Sequence, residues 1–200
     1  MCIRDSISIM DLSLTEEQKL IQQTARRFAE VELQPNAAQL DRQESPEKDR
    51  KIFLQNLRAL AELGFMGLNV SSDYGGTEAG VVAFSLAITE VARACASTAV
   101  TMSVTNMVGE VIQAIASDEQ KQMYLPKLCS GEYSAGSFCL SEACAGSDPA
   151  SMLTQAIRDG DDWVLNGEKM WISSAEYAGL FVVWAAVSYT HLTLPTILPV

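Results

Sequence analysis

The chain has 200 residues, enough for one domain or for one domain and part of a second. Its 25 acidic and 14 basic side chains give a formal net charge of −11, and this sign argues against a protein that binds nucleic acid. A single histidine, His191, excludes mechanisms that need two imidazoles. We therefore expect no histidine-rich metal site, and we assign no metal ligands.

The cysteines and the apolar segments indicate the compartment. Five cysteines are present and no two are spaced as Cys-x-x-Cys, so reduced thiols are expected rather than disulfides or a zinc site. The longest apolar stretches fall well short of the roughly 20 residues that a membrane helix needs. The sequence predicts a protein of the cytoplasm, or of the mitochondrial matrix in a eukaryote, without a membrane span.

The first part of the chain has the apolar spacing of helices. Ser13 and Glu16 are spaced as a capping box at the start of a first helix, which Pro35 closes or kinks. Ser45, followed by a proline, predicts the start of a second helix, and Gly64 predicts its left-handed end.

Three further helices are expected before the pattern changes. Residues 79–95 and 98–116 are apolar on most sides, which is typical of helices packed inside a core. Ser117 and Gln120 form a second capping-box pattern, which predicts a short helix that ends near Cys129.

After residue 131 the pattern changes to that of strands. Strands are expected at residues 134–141, 153–158, 163–165 and 180–186. Residues 159–162 predict a turn, and Asn166-Gly167 predicts a hairpin whose returning strand is residues 169–173. Helices followed by antiparallel strands indicate an α+β fold.

The two ends of the chain differ from the rest. Residues 187–200 contain no Asp, Glu, Lys or Arg and include two prolines, and residues 1–9 precede a natural start at Met10. We expect both ends to be non-native sequence on a truncated gene product. The helical domain is then residues 10–132, and the partial β domain is residues 133–186.

Two segments have residues suited to a ligand. Residues 138–148, FCLSEACAGSD, join a strand to a loop of small residues whose backbone N–H groups can approach an anionic or carbonyl-rich ligand. Residues 170–173 place a tryptophan two residues before a serine in a predicted strand. Taken singly, an ordinary serine-capped connection and a core tryptophan explain them better than a ligand site does.

Taken together, these segments resemble the acyl-CoA dehydrogenase family. The family's middle domain reads aromatic-x-Leu/Val-Thr-Glu-Pro-x-Ala-Gly-Ser-Asp and, further along, Lys-x-Trp-Ile-Thr; this chain has FCLSEACAGSDP and NGEKMWISSAEYAG. The helical part is similar in LTEEQKLIQQTARRFAEVELQP, ALAELGFMGLNVSSDYGG and SDEQKQMYLPKLCSGEY. The resemblance extends over residues 11–186.

The resemblance implies an N-terminal all-α helical domain followed by an incomplete antiparallel β-barrel-like middle domain, with FAD as the cofactor. The positions that match the family's FAD contacts are Phe138, Leu140, Ser141, Gly146, Ser147, Trp171, Ile172 and Ser173. Ser147 is also the position that meets the acyl-CoA ligand in the family.

The resemblance also implies a reaction. In the family a carboxylate removes a proton from Cα of an acyl-CoA thioester, the flavin takes a hydride from Cβ, and the product is a trans-2-enoyl-CoA. The electrons then pass to an electron-transfer flavoprotein. The base is a glutamate of a C-terminal helical domain outside this chain, so no catalytic residue is assigned and Glu142 is not the base. We expect the full-length protein to be a homo-oligomer and the fragment to be inactive.

The chain departs from the family pattern in the flavin motifs, and alternatives stay open. Ser141 and Ser173 replace threonines, and Ala143-Cys144 replaces Pro-Gly or Pro-Asn, which leaves the loop less rigid. An acyl-CoA oxidase or a flavin monooxygenase of the same fold would share these motifs. A non-catalytic helical interaction protein is a further alternative, and it predicts no bound flavin and no need for Trp171.

Overall fold

The computed structural model describes residues 12–188, 191–192 and 196–199, with side chains described up to Val187. The predicted foreign leader, residues 1–9, lies outside the described residues, as do residues 189–190, 193–195 and 200 of the predicted foreign tail.

Helices precede strands, as the sequence predicts. Among the described residues the α-helices are α1 (Glu16–Phe28), α2 (Gln34–Arg42), α3 (Pro46–Glu62), α4 (Gly80–Ala94), α5 (Ala96–Ile115) and α6 (Asp118–Cys129). No helix of this part of the chain combines the length and the apolar character needed to cross a bilayer.

The predicted capping box of α1 is wrong by two residues. Thr15, not Ser13, is the N-cap: its hydroxyl accepts a hydrogen bond from the N–H of Gln18 at 3.2 Å, and the Gln18 side chain accepts one from the N–H of Thr15 at 3.0 Å. With this register Glu16 and Glu17 fall in the first turn, where their charges favour the helix dipole. Both capping-box patterns occur in the sequence, and the structure has the one that begins at Thr15.

The predicted box at the start of α6 is confirmed. The Ser117 hydroxyl accepts from the N–H of Gln120 at 3.2 Å, and the Gln120 side chain accepts from the N–H of Ser117 at 3.1 Å. The predicted left-handed Gly64 is also confirmed, with φ of +76° after the end of α3.

Pro35 neither ends nor breaks the first helical segment. A π-helical turn, Ala29–Leu33, joins α1 directly to α2, and Pro35 lies in the first turn of α2. Because proline has no N–H to donate, the first turn of a helix is the place where it is tolerated. The widened turn before it lets the chain continue as a helix to Arg42.

Seven strands form two small sheets in the described part of the chain. The strands are β1 (Gly136–Cys139), β2 (Gln155–Asp159), β3 (Asp162–Asn166), β4 (Leu180–Val183), β5 (Ala186–Ser188), β6 (His191–Leu192) and β7 (Thr196–Pro199). Their order is β1-β4-β7 in one sheet and β3-β2-β5-β6 in the other. The α+β class is confirmed.

The sheets are mixed, which corrects the expectation of antiparallel strands only. β1 and β4 pair in parallel, with Gly136 opposite Leu180 and Cys139 opposite Val183, while β2–β3 and β4–β7 are antiparallel. Parallel neighbours need a long crossover connection, and the segment that contains the β2–β3 hairpin provides it. Strand direction was therefore not readable from the alternation of apolar residues alone.

The turn at residues 159–162 is confirmed, but the hairpin predicted at Asn166-Gly167 is wrong. Gly167 has φ of +154°, and a Cβ there would lie 2.5 Å from the Thr154 hydroxyl, so the glycine serves a close approach to β2. The chain then leaves the sheet, because the N–H of Met170 donates to the carbonyl of Ser141 at 2.8 Å. Residues 169–173 form no strand.

The core has two clusters that meet at α5. One lies among the helices and includes Leu33, Leu57, Leu60, Met66 and Met102; the other lies between α5, α6 and β4 and includes Val108, Ile112, Leu125, Leu180 and Val182. A Cβ on Gly136 would lie 2.9 Å from Val108, so β1 rests directly on α5. The helical part thereby fixes the position of the sheet.

One polar side chain organises the inside of the helical part. Asn106 of α5 is fully buried, and its side chain accepts from the N–H of Leu68 at 2.8 Å. It donates to the carbonyls of Phe65 at 2.8 Å and of Met102 at 2.9 Å. The connector that follows α3 is therefore held by α5 through a side chain whose hydrogen bonds are all inside the core.

Candidate functional site

The two motif segments come together beyond the C-terminal end of β1. The N–H of Met170 donates to the carbonyl of Ser141 at 2.8 Å, and the Lys169 ammonium donates to the carbonyl of Leu140 at 3.0 Å. The segments are far apart in the sequence, and these two bonds make them neighbours.

The predicted site residues differ in exposure. Half-buried are Phe138, Leu140, Ser141, Ile172 and Ser173; exposed are Gly146, Ser147 and Trp171. Phe138 packs its ring against Trp184, with ring centres 5.8 Å apart. Gly146 and Ser147 follow the 142–145 turn, and within the described residues they make no hydrogen bond with residues 169–173.

Trp171 is not a core residue, which corrects the interpretation of this motif taken singly. Its residue surface is 86% exposed, and its backbone has φ of +60°, in the left-handed region. A non-glycine residue in the left-handed region lowers the stability of the fold by about 1–3 kcal/mol, and such residues cluster at ligand sites. The exposed indole can stack on a planar ligand, and the N–H of its neighbour Met170 is bonded to the carbonyl of Ser141.

The loop after β1 is a tight turn that closes without the family's proline. The N–H of Glu142 donates to the carbonyl of Ala145 at 3.1 Å, and the N–H of Ala145 donates back at 3.2 Å. Ala143 and the exposed Cys144 form its tip. The missing proline therefore does not prevent the turn from forming.

Open space and unused hydroxyls surround this turn. A Cβ on Gly146 would have nothing within 4 Å, so no described neighbour requires glycine there. The hydroxyls of Ser141, Ser147 and Ser173 make no hydrogen bond to any other described residue. An apolar face with unpaired hydroxyls at its edge fits a ligand that is flat and carries polar atoms at its rim.

A buried ion pair supports both segments, and sequence reasoning missed it. The Glu142 and Lys169 side chains are only 5% and 10% exposed, and the ammonium lies 2.7 Å from the carboxylate. The same carboxylate accepts from the N–H groups of Leu153 at 2.6 Å and Thr154 at 3.0 Å. Glu142 belongs to the first motif and Lys169 to the second. Their membership of these motifs is the only feature of the sequence from which the pairing could have been predicted.

Hydrogen bonding keeps the Glu142 carboxylate ionised. Burial alone would raise the pKa of this carboxyl, but the Lys169 ammonium, Thr154 and the N–H of Leu153 outweigh burial and lower the pKa to about 2. A carboxylate with three donors and so low a pKa is a poor general base. This agrees with leaving Glu142 without a catalytic role.

The low pKa of Glu142 predicts acid-sensitive stability. Because the pKa is lower in the folded chain than its ordinary value of 4.5, the stabilisation is complete above about pH 4.5 and is lost as pH falls through about 2. The difference corresponds to about 3 kcal/mol. Urea unfolding of the wild type and of Glu142→Gln between pH 6 and 2 measures it: we expect a shallower decline for Glu142→Gln, and equal declines would contradict the assignment.

Of the two thiols near the site, Cys139 is buried, whereas Cys144 at the tip of the turn is exposed. Burial raises the pKa of the Cys139 thiol, and the nearby Lys169 only partly opposes this, so the thiol stays protonated at neutral pH. Cys95, Cys129, Cys139 and Cys144 are all free. Nowhere in the described ranges do three or more His, Cys, Asp or Glu side chains form a group that could hold a metal ion.

Two family models match most of this chain. The family model described as acyl-CoA dehydrogenase, N-terminal domain, matches residues 15–132, and the one described as acyl-CoA dehydrogenase, middle domain, matches residues 137–195. A short-chain specific acyl-CoA dehydrogenase of Clostridium acetobutylicum is 35% identical over 185 residues, covering 92% of this chain and 47% of the relative.

Solved structures agree with these matches. An acyl-CoA dehydrogenase complexed with FAD from Bacillus anthracis has a TM-score of 0.84 at 30% identity and covers 94% of this chain and 31% of its own. A structure described as the electron transferring flavoprotein of Acidaminococcus fermentans has a TM-score of 0.83 at 31% identity, over 95% of this chain and 49% of its own. The chain spans about half the length of the curated relatives it matches. It belongs to the acyl-CoA dehydrogenase family.

Proposed function

We propose that this chain is the helical and flavin-side part of an FAD-dependent acyl-CoA dehydrogenase. Residues 10–132 would be the N-terminal domain and residues 133–186 a partial middle β domain. The observation that carries the proposal is the meeting of the two motif segments, bonded through Met170 and Lys169, beside an exposed Trp171. Membership of the family supports the same reading.

The residues of this chain suit the isoalloxazine of FAD. Half-buried Phe138 and Leu140 supply an apolar wall, and the exposed Trp171 indole supplies a stacking face. The unpaired hydroxyls of Ser141 and Ser173 can hydrogen-bond to polar atoms at the ring edge. When bound, FAD supplies the hydride acceptor for α,β-dehydrogenation of an acyl-CoA thioester to a trans-2-enoyl-CoA.

The remaining predicted contacts would lie where the flavin and the substrate meet. Half-buried Ile172, which follows Trp171 in the sequence, would extend the wall, and Gly146 leaves room for a group to approach the backbone closely. The exposed Ser147 would contact both FAD and the acyl-CoA. No residue of this chain is assigned as the base, and the ion pair of Glu142 with Lys169 serves to hold the two segments together.

The partners follow from the same proposal. The substrate would be an acyl-CoA, the electron acceptor an electron-transfer flavoprotein, and the full-length protein a homo-oligomer. Similarity to the flavoprotein structure of Acidaminococcus fermentans supports the flavoprotein partnership. A reducing compartment, the cytoplasm or the mitochondrial matrix, suits the free thiols of Cys95, Cys129, Cys139 and Cys144.

Replacing Trp171 tests the proposal directly. We expect Trp171→Ala to weaken FAD binding about ten-fold, because an aromatic stacking contact contributes on the order of 1–3 kcal/mol. The free energy of unfolding should change little, since the side chain is 86% exposed. Titration with FAD, followed by quenching of flavin fluorescence, measures the affinity.

Trp163→Ala is the matched control, because Trp163 is a 40% exposed tryptophan of β3 outside the motifs. It should leave FAD affinity unchanged. Equal affinities of wild type and Trp171→Ala would contradict the placement of the flavin. A wild-type chain that binds no FAD would overturn the proposal and favour the non-catalytic interaction protein.

A further inference from the structure

The segment that presents Trp171 is anchored at both ends. We call residues 169–178 the tryptophan segment. Lys169 and Met170 tie its first residues to the carbonyls of Leu140 and Ser141. Its last residues instead contact two helices, α3 and α5, of the helical part.

The contacts of the last residues come mainly from α3. The Arg50 guanidinium pairs with the Glu176 carboxylate and lies over the Tyr177 ring, 4.9 Å from the ring centre. The Phe53 ring, one turn further along the helix, lies 5.0 Å from the Tyr177 ring at an angle of 51°. Tyr177 is thus held by a cation above and an aromatic ring beside it.

Backbone hydrogen bonds connect Tyr177 to Ser174, which is closer to Trp171 in the sequence. The N–H groups of Tyr177 and Ala178 both donate to the carbonyl of Ser174 at 2.9 Å. Ser174 is itself left-handed, with φ of +64°, and its hydroxyl lies 2.8 Å from that of Thr101 in α5. Left-handed conformations of non-glycine residues persist only where surrounding contacts enforce them.

The Tyr177 ring borders a cavity. A cavity of about 460 Å³ lies between α2, α3 and the tryptophan segment, and it is lined in part by Leu40, Pro46, Phe53, Ser97 and Tyr177. A half-buried ring beside such a space can rotate into it once its neighbours are removed.

Because Arg50 and Glu176 are 44% and 68% exposed, their ion pair adds little to global stability. The contacts of Arg50 therefore act locally.

From these contacts we propose that Arg50 and Tyr177, with Phe53 behind them, are positioning residues that hold the tryptophan segment so that Trp171 stays in its exposed, left-handed orientation. Helix α3 of the helical part thereby sets the geometry of the flavin-stacking face. The consequence for FAD rests on the proposed function, whereas the orientation of Trp171 does not require FAD.

Two measurements on the full chain test the positioning. With Trp163→Phe and Trp184→Phe as background, Trp171 is the only tryptophan, and time-resolved fluorescence anisotropy reports its motion. We expect Tyr177→Ala and Arg50→Met to raise the amplitude of nanosecond depolarisation of Trp171 about two-fold. In the protein with its native tryptophans, the same substitutions should raise the Kd for FAD about three- to ten-fold.

Two controls separate positioning from general destabilisation. Tyr177→Phe keeps the ring contacts and should leave both readouts at wild-type values. Arg58→Met removes the exposed pair of Arg58 with Glu62 on the same helix and should also change neither. Arg50→Met alters an exposed side chain, so it keeps the test valid if Tyr177→Ala fails to fold.

The outcomes distinguish the two proposals. Unchanged Trp171 anisotropy in folded Arg50→Met would overturn the positioning role, whatever the FAD affinity. Increased depolarisation in a chain whose wild type binds no FAD would support the positioning role and overturn the proposed function instead. Increased depolarisation with unchanged FAD affinity would overturn the inference that α3 sets the flavin-stacking face.

Discussion

Lys169→Met is expected to lower the free energy of unfolding by about 3–5 kcal/mol, because it leaves the Glu142 carboxylate buried without its counter-ion. The pair is only 10% and 5% exposed, and the ammonium also binds the carbonyl of Leu140. Urea unfolding at pH 7, followed by far-UV circular dichroism, measures the change.

Lys19→Met is the control for this substitution. Lys19 pairs with Glu16 at 2.7 Å, but the two side chains are 47% and 92% exposed, so the loss should stay within about 0.5 kcal/mol. The double variant Glu142→Gln with Lys169→Met should be more stable than the sum of the single losses implies, since each single variant leaves a lone buried charge and the double variant leaves none. Additive losses would show that the pair is not coupled.

Asn106→Ala is the second substitution with a large expected effect, a loss of about 2–5 kcal/mol. It leaves the N–H of Leu68 and the carbonyl of Phe65 in the core without the partners they have now, and each buried unpaired group costs about 1–3 kcal/mol. Denaturant unfolding measures the loss. A change within 0.5 kcal/mol, as on an exposed surface, would contradict the role of this side chain.

Asn36→Ala provides the comparison. Asn36 of α2 donates one surface hydrogen bond to the carbonyl of Glu32 at 3.3 Å, so water can replace the partner. The decrease in the free energy of unfolding of Asn36→Ala should therefore be small. The difference between the two alanine variants then reports the burial of Asn106 rather than the removal of an amide as such.

Local signals predicted the parts of the fold that depend on local physics. The Ser117–Gln120 box and the left-handed Gly64 are set by a few neighbouring residues, and both are confirmed. The start of α1 was misplaced because two overlapping capping-box patterns begin there, at Ser13 and at Thr15, and the structure has the second. The α-then-β order follows from periodicity and was readable as well.

Long-range partners were beyond such signals. The parallel pairing of β1 with β4, the departure of Met170 from the sheet and the pairing of Lys169 with Glu142 each join residues that are distant in sequence. Asn166-Gly167 has the local sequence of a hairpin turn. The N–H of Met170 nevertheless donates to the carbonyl of Ser141, and the chain does not return as a strand. The motifs located the candidate site through resemblance, and only the structure reveals that Trp171 is exposed.

The position of α5 has a consequence for how the molecule unfolds. One end of this helix contributes Met102 to the helical core, and the other contributes Val108 and Ile112 to the core beneath β4. Unfolding of α5 would remove packing contacts from both core clusters at once, so we expect the helical part and the sheet to unfold as a single cooperative unit. The losses expected for Lys169→Met in the sheet and Asn106→Ala in the helices therefore refer to the same transition and can be compared directly.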